Sequence, residues 1–191
     1  MISFTDEQLM ELFQNNKDGQ GALAFDYLYN RHAKRMLNFF YYSFHNDFKK
    51  AQDFLHDLFL KIIENKARFD RNKQFQAWIY RMAINMCKNE FRSLALKKKF
   101  QDHALYSAEM SNTEQTMDRD LRVCIHSLEQ EQRALIILRF KLNLSVREIA
   151  SIIECPEGTV KSRLFYATRE LSRMYKLENH GKRKHQNRKG I

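Results

Sequence analysis

Gly158, Ser162, Phe165 and Arg169 fall on one side of a helix at about 100° per residue. A small residue, a hydroxyl, an aromatic ring and a guanidinium on one face can hydrogen-bond base edges and bind phosphate, which suits a DNA groove. That chemistry is recognition, not bond-making. The other side of the same helix carries Val160, Leu164, Ala167 and Leu171, an apolar stripe that must lie on a core. Ahead of it, Ser145 and Glu148 form an S-x-x-E capping box. Val146, Ile149, Ala150 and Ile153 then recur at helical spacing. Glu154-Cys155-Pro156 separates the two helices, because Pro156 has no N–H to continue the first and suits the opening position of the second. Leu144 to Leu171 thus predicts a helix-turn-helix; an ordinary helical hairpin shares the pattern.

A second constellation lies between Phe75 and Ser93. Ile79, Met82, Ala83 and Met86 share an apolar stripe, while Arg81, Asn85, Lys88, Asn89 and Arg92 lie about 140° away, with Trp78 beside them. A Trp at the edge of a basic, amide-rich face can stack on unpaired bases while the cations grip the backbone. The alternative is a solvated charged face with Trp78 folded into the core. Upstream, Phe54, Leu55, Leu58 and Ile62 predict a buried helix face, with Asp53, His56, Asp57 and Lys61 turned away from it. Acidic residues repel phosphate, so this surface suits a protein partner, or else balances charge.

Helical periodicity recurs along the chain and no segment alternates at period two. With one Pro and five Gly in 191 residues, the fold class is all-α: two small helical domains joined by a flexible linker, the C-terminal one containing the helix-turn-helix. The boundaries fall at 1–96, 97–118, 119–177 and 178–191. Residues 97–118 lose periodicity and gain Ser, Asn, Thr and Gln, as a linker does. The net charge is +10 and the pI about 9.6, so phosphate is the natural counter-ion. From Lys176 onward six cations face only Glu178, and residues 178–191 read as a basic tail without structure. Its readings are a solubilising end or non-specific nucleic-acid affinity.

No apolar run approaches the roughly 18 residues of a membrane span, and the acidic start MISFTDEQLMELF is not a signal peptide, so the expected location is the cytoplasm. Cys87, Cys124 and Cys155 are odd in number and widely spaced, as free thiols are in a reducing compartment. No nucleophile–base pair, phosphate loop or metal-ligand spacing is legible. The expectation is therefore no catalytic residue, no cofactor and no metal: the chain does not read as an enzyme.

The order of these parts resembles the sigma-70 family of bacterial RNA polymerase sigma factors, in its small two-domain extracytoplasmic function (ECF) subfamily. AQDFLHDLFLKI resembles the family's acidic polymerase-binding helix, FQAWIYRMAIN its promoter-melting helix, and LSVREIASIIECPEGTVKSRLF its C-terminal helix-turn-helix. AFDYLYNRH, Ala24 to His32, is a weaker match to the first helix of the N-terminal domain. The resemblance implies that Asp53, His56 and Asp57 meet the clamp of the largest subunit of the polymerase core. It implies that Trp78, Arg81, Asn85, Lys88, Asn89 and Arg92 bind and help open the −10 element of promoter DNA. A loop before the melting helix captures a flipped base in this family; Phe69, followed by Asp70-Arg71-Asn72-Lys73, occupies that place. Gly158, Thr159, Lys161, Ser162, Arg163, Phe165 and Arg169 fall where the family reads the −35 element. An anti-sigma factor is a further partner that the resemblance implies.

Three departures from the family pattern stand out. His56 replaces a usual Gln, Glu129 a common Pro, and Asn143 a common Gly; Asn tolerates left-handed backbone. The competing function is a stand-alone helix-turn-helix regulator. It would bind paired half-sites as a dimer, yet the chain has no heptad dimerisation helix, and that reading leaves the acidic helix and the Trp78 face unexplained.

Overall fold

The computed structural model describes residues 4–15, 19–100 and 119–186, with side chains placed through residue 96 and from 121 to 177. Helices α1 (Asp6–Asn15), α2 (Gln20–Ser43), α3 (Phe48–Asn65) and α4 (Phe75–Phe100) form the N-terminal half. Helices α5 (Arg119–Ser127), α6 (Gln130–Ile136), α7 (Val146–Ile153) and α8 (Glu157–Gln186) form the C-terminal half. A 3-10 turn, Lys66–Arg68, follows α3, and a π-helical turn, Ile137–Lys141, follows α6. No strand occurs among the described residues, as the all-α expectation holds.

Leu28, Met36, Phe39 and Phe40 from α2, Leu58 and Ile62 from α3, and Ile79 and Tyr80 from α4 are fully buried together. Large apolar side chains contribute about 1.5–3 kcal/mol each on full burial, so this aromatic-rich cluster is the main stabiliser of the first half. The turn from α2 to α3 needs left-handed backbone at His45 (φ 60°) and Asn46 (φ 65°), residue types enriched in that region. Asp47 then caps α3, its carboxylate accepting the Lys50 N–H at 2.9 Å.

In the second half Ser145 and Glu148 form the expected capping box: Ser145 Oγ accepts the Glu148 N–H, and the Glu148 carboxylate accepts the Ser145 N–H at 2.7 Å. Asn143 adopts the left-handed conformation (φ 54°) that its substitution for Gly required. Glu154 closes α7 in the same conformation (φ 51°), a cost that Asn or Gly would escape. Pro156 stands one residue ahead of α8 rather than at its first position, its carbonyl accepting the Thr159 and Val160 N–H groups. Val160, Leu164 and Ala167 are buried as the stripe predicted.

Two segments differ from expectation. Helix α4 runs through Phe100, four residues into the expected linker, because Lys97–Lys99 are good helix formers; residues 101–118 lie outside the described residues. Helix α8 continues through Gln186, nine residues into the tail expected to lack structure. No Pro interrupts that stretch, and one Gly costs only about 1 kcal/mol in a helix.

The halves are packed together. One continuous apolar cluster joins the N-terminal core to Leu135, Ile137, Leu138, Ile149 and Ile152, and α7 lies directly on α4. A smaller cluster of Ile125, Leu128, Ile136 and Ala167 holds α5 and α6 to α8.

Candidate nucleic-acid interfaces

The outer face of α8 carries the residues expected to meet DNA. Gly158, Lys161, Ser162, Arg163 and Arg169 are exposed, Thr159 is half-buried, and the Phe165 ring is 60% exposed. Ser162 Oγ donates back to the Gly158 carbonyl at 3.0 Å, so its hydrogen is spent on the helix and only its acceptor lone pairs face outward. Sequence reasoning missed Tyr166. Its ring is also 60% exposed and lies 5.6 Å from Phe165 edge-to-face, making an aromatic pair beside the cations. Two large rings in water at one spot mark a contact surface, and the adjacent aromatic pair in the sequence was the available signal.

On α4, Asn85, Asn89 and Arg92 are exposed. Trp78 is half-buried and leans on Phe69 and Phe75, ring centroids 5.3 and 5.9 Å away, so only part of its ring is open to stacking. Phe69 differs from expectation. It is 4% exposed, and its ring serves as the anchor of the loop before α4 instead of a surface for a base. The cause is local: after the 3-10 turn the backbone turns extended at Phe69 (ψ 122°), and its ring joins the Phe75 and Trp78 rings. Asp70, Asn72 and Lys73 remain exposed at the loop tip. Asp70 Oδ1 accepts the Asn72 N–H at 3.0 Å, an Asx turn that shapes it.

The outer face of α3 carries Asp53, His56 and Asp57, all exposed. Leu60 (56% exposed) and Ile63 (41%) continue the same face at helical spacing, and Phe48 (54%) sits at the helix start. Exposed apolar side chains among carboxylates are the composition of a protein-binding surface. The sequence reading recorded only the charges.

The structure also ties α4 to the C-terminal half through charged side chains. Arg81 is turned toward the C-terminal half: it donates to Glu154 Oε1 at 2.5 Å, to the Ile152 carbonyl at 3.3 Å and to the Ser151 carbonyl at 3.4 Å. Lys88 donates to Glu131 at 2.8 Å, and that bond and charge hold the Glu131 carboxyl below the usual carboxylate range. Lys73 stands 3.7 Å from Glu154. Between them a cleft of about 260 Å³, lined by Arg81, Asn85, Lys88 and Arg163, is smaller than the roughly 300–1,000 Å³ typical of ligand sites. In this arrangement Arg81 and Lys88 are engaged by the C-terminal half, while Asn85, Asn89 and Arg92 remain exposed.

The seam contains a pH-sensitive contact. His45, at the α2–α3 turn, stacks on His126 of α5 with centroids 3.9 Å apart. Arg133 reaches across as well, its guanidinium 5.0 Å over the Phe91 ring. Burial, then His45, Arg133 and Arg122, pull the His126 pKa down to about 3; burial, Arg133 and Lys50 lower that of His45. The His126 imidazole is therefore neutral when docked, and the exposed His45 is shifted in the same direction. Because the docked values lie below the ordinary value of about 6.5, docking is fully supported above pH 6.5 and weakens as pH falls from there toward 3. Lowering the pH from 7.5 to 5.5 should weaken docking up to about tenfold through His126 alone, one unit below the free imidazole value, with any His45 contribution in the same direction. Energy transfer between dyes on the two halves would read it, and His126→Phe should flatten the response.

Two of the three cysteines are buried. Burial pushes the Cys87 thiol up to about 12, and Cys124 is buried. Among the described residues no three His, Cys, Asp or Glu groups could hold a metal, and no helix is long and apolar enough to cross a membrane.

Residues 28–96 match the family model for sigma-70 region 2, and residues 118–171 match that for sigma-70, region 4. The RNA polymerase sigma-H factor of Pseudomonas aeruginosa is 29% identical over 177 residues, covering 85% of this chain and 89% of that one. The ECF RNA polymerase sigma-E factor of Escherichia coli K12 is 33% identical over 130 residues, 60% of this chain and 68% of its own. Among solved structures, the sigma factor RpoE of Bartonella quintana, crystallised with the anti-sigma factor NepR, superposes with a TM-score of 0.65 at 21% identity, covering 80% of this chain and 96% of that one. CnrH, solved with the cytosolic domain of CnrY, gives 0.64 at 19% identity over 90% and 97%. At those identities the likeness is one of fold.

Proposed function

The chain belongs to the sigma-70 family of RNA polymerase sigma factors, in its extracytoplasmic function subfamily, and from that premise we propose how its surfaces divide the work of promoter recognition. It is a sigma factor: it binds core polymerase, directs it to specific promoters and assists their melting. We assign the −35 element to the outer face of α8, where Lys161, Arg163 and Arg169 supply cations, Phe165 and Tyr166 supply rings, and Gly158, Thr159 and Ser162 allow close approach. We assign the −10 element to Trp78, Arg81, Asn85, Lys88, Asn89 and Arg92 on α4, with the loop tip at Asp70–Lys73 in the place first given to Phe69. The clamp surface is Asp53, His56 and Asp57 on α3, extended by Leu60 and Ile63.

The energetics need no fuel. Each small domain holds DNA weakly, but mounted together on polymerase the second contact becomes intramolecular and gains effective concentration. Opening the duplex costs about 1–2 kcal/mol per base-pair step. Stacking returns about 1–3 kcal/mol per base, so a few captured bases tip melting. The RNA chemistry belongs to the polymerase, and this chain acts without catalysis of its own, in the cytoplasm where core polymerase is met. An anti-sigma factor is the third partner we propose. The docked form, with the α4 cations engaged by Glu154 and Glu131, is the resting state that polymerase must open.

The observation that carries this assignment is the pairing, within one chain, of an exposed cationic and aromatic α8 face with an amide-rich α4 face. Mixing the protein with sigma-free core polymerase tests it. Co-elution, with run-off transcripts from specific genomic fragments, is expected. Failure to bind core together with tight binding of duplex DNA by the chain alone would favour the stand-alone regulator.

Docking gives a further expectation. Glu154→Asn removes the carboxylate that competes for Arg81 while keeping a residue suited to φ 51°. A half-exposed ion pair is worth about 0.2–1 kcal/mol, so the free protein should bind the mapped −10 single strand a few-fold more tightly, by fluorescence anisotropy. An unchanged affinity would show that the pair does not compete with DNA.

A further inference from the structure

Helix α1 precedes the region-2 match, which begins at residue 28. It lies against the loop that joins α3 to α4, and its side chains take hold of that loop at every turn. Gln14 spends its whole amide there. Its Nε2 donates to the Lys66 carbonyl at 2.7 Å and to the Phe69 carbonyl at 3.0 Å, and its Oε1 accepts from Arg71 Nε at 3.0 Å. An amide nitrogen has two hydrogens, and dividing them between carbonyls three residues apart fixes the curvature of the backbone between. Arg71 is drawn back onto the same helix, donating through Nη1 to Glu11 at 2.6 Å and through Nη2 to Asn15 at 3.0 Å. At the far end of the loop, Glu7 Oε1 accepts the Phe75 N–H at 3.0 Å and so caps α4.

The grip is rigid because α1 is itself fixed. Leu9, Met10 and Phe13 are buried, and Asp6 bridges Arg31 and His32 of α2, each at 2.6 Å. Burial tends to raise the Asp6 pKa, but those bonds and charges outweigh it and hold the carboxyl below its usual range. With Phe69 seated in the core beneath and Gln14 above, the exposed Asp70, Asn72 and Lys73 at the loop tip are left to meet a base.

We infer that α1 is a specificity element: Gln14, supported by Glu11 through Arg71, is a positioning residue that holds the −10 loop in the one shape that accepts its preferred base. This rests on the reading of that loop as a base-capture site. A loop free to move would order itself around several bases at a cost in backbone entropy; a loop already ordered accepts only the base that fits it. Gln14 thus influences DNA choice without touching DNA.

The test uses the holoenzyme and four templates that differ only in the base captured at −10. The wild-type chain should prefer one base by about tenfold or more, as one specific base contact does. Gln14→Glu keeps the acceptor for Arg71 and loses both donors to the loop. It should bring that preference to within about threefold, mainly by raising transcription from the disfavoured templates relative to the favoured one, with core co-elution unchanged. A merely structural role would lower all four templates alike. Glu11→Ala, at a half-exposed surface position that folding tolerates, should shift the preference in the same direction by a smaller factor. Asn72→Ala and Lys73→Ala separate the two ideas. If they alter base preference while Gln14→Glu and Glu11→Ala do not, the inference about α1 is overturned and the capture loop stands. If the loop variants leave base preference untouched, the capture reading falls and the inference with it.

Discussion

Replacing Asp53 and Asp57 together by arginine should abolish co-elution with core polymerase, with an affinity loss of about 100-fold or more, while leaving the chain folded. Both carboxylates are exposed one turn apart on α3, and neither is bonded to another described residue in a way the fold depends on. Leu60 and Ile63 beside them offer apolar area that a partner would bury. Charge supplies orientation and rejection at such a surface, and placing like charges in contact costs several kcal/mol. The helix should survive because its stabilisers lie elsewhere: the Asp47 cap and the buried Leu55, Leu58, Phe59 and Ile62 are untouched. Gel filtration with core polymerase and a thermal melt of the free variant give the two readings. A variant that melts normally and still co-elutes would remove the clamp assignment from α3.

The second large effect is expected on α8. Arg163→Ala combined with Phe165→Ala should reduce transcription from promoters that depend on a −35 element by about 100-fold, since a bidentate arginine contact is worth about 1–3 kcal/mol and the Phe165 ring adds apolar contact in the same groove. Neither side chain is buried, so the helix-turn-helix keeps its stripe of Val160, Leu164 and Ala167. The salt dependence of promoter binding should also become shallower by about one unit of slope if Arg163 meets a phosphate, and stay unchanged if it meets only a base. Footprints of the mutant holoenzyme that keep full −35 protection would overturn the assignment. Arg163 also lines the cleft between the halves, so the free protein is the wrong species for this measurement.

Much of the C-terminal half was legible in the chain because its signals are local. A capping box joins residues three apart, an apolar stripe repeats within two turns, and Asn143 meets a backbone demand at its own position. The residues expected on the outer face of α8 lie there for the same reason: helical phase alone decides which side faces a buried stripe. On α3 and α4 the phase was equally readable, and Asp53, His56, Asp57, Asn85, Asn89 and Arg92 are exposed as expected.

What the polar residues do on those faces was not readable. Arg81 and Glu154 are 73 positions apart, and Gln14 and Phe69 are 55 apart. No periodicity relates such pairs. The sequence therefore determined the helices, their buried stripes and the family of surfaces they expose. Only the tertiary structure decided that Phe69 is an anchor, that Trp78 is half-covered, that α1 holds the loop before α4 and that α7 packs on α4. The physical reason is that helical phase is set by covalent geometry over a few residues. Whether a charge faces solvent or a partner from the same chain is set by which distant apolar surfaces pack, here the cluster joining Ile149 and Ile152 to the N-terminal core.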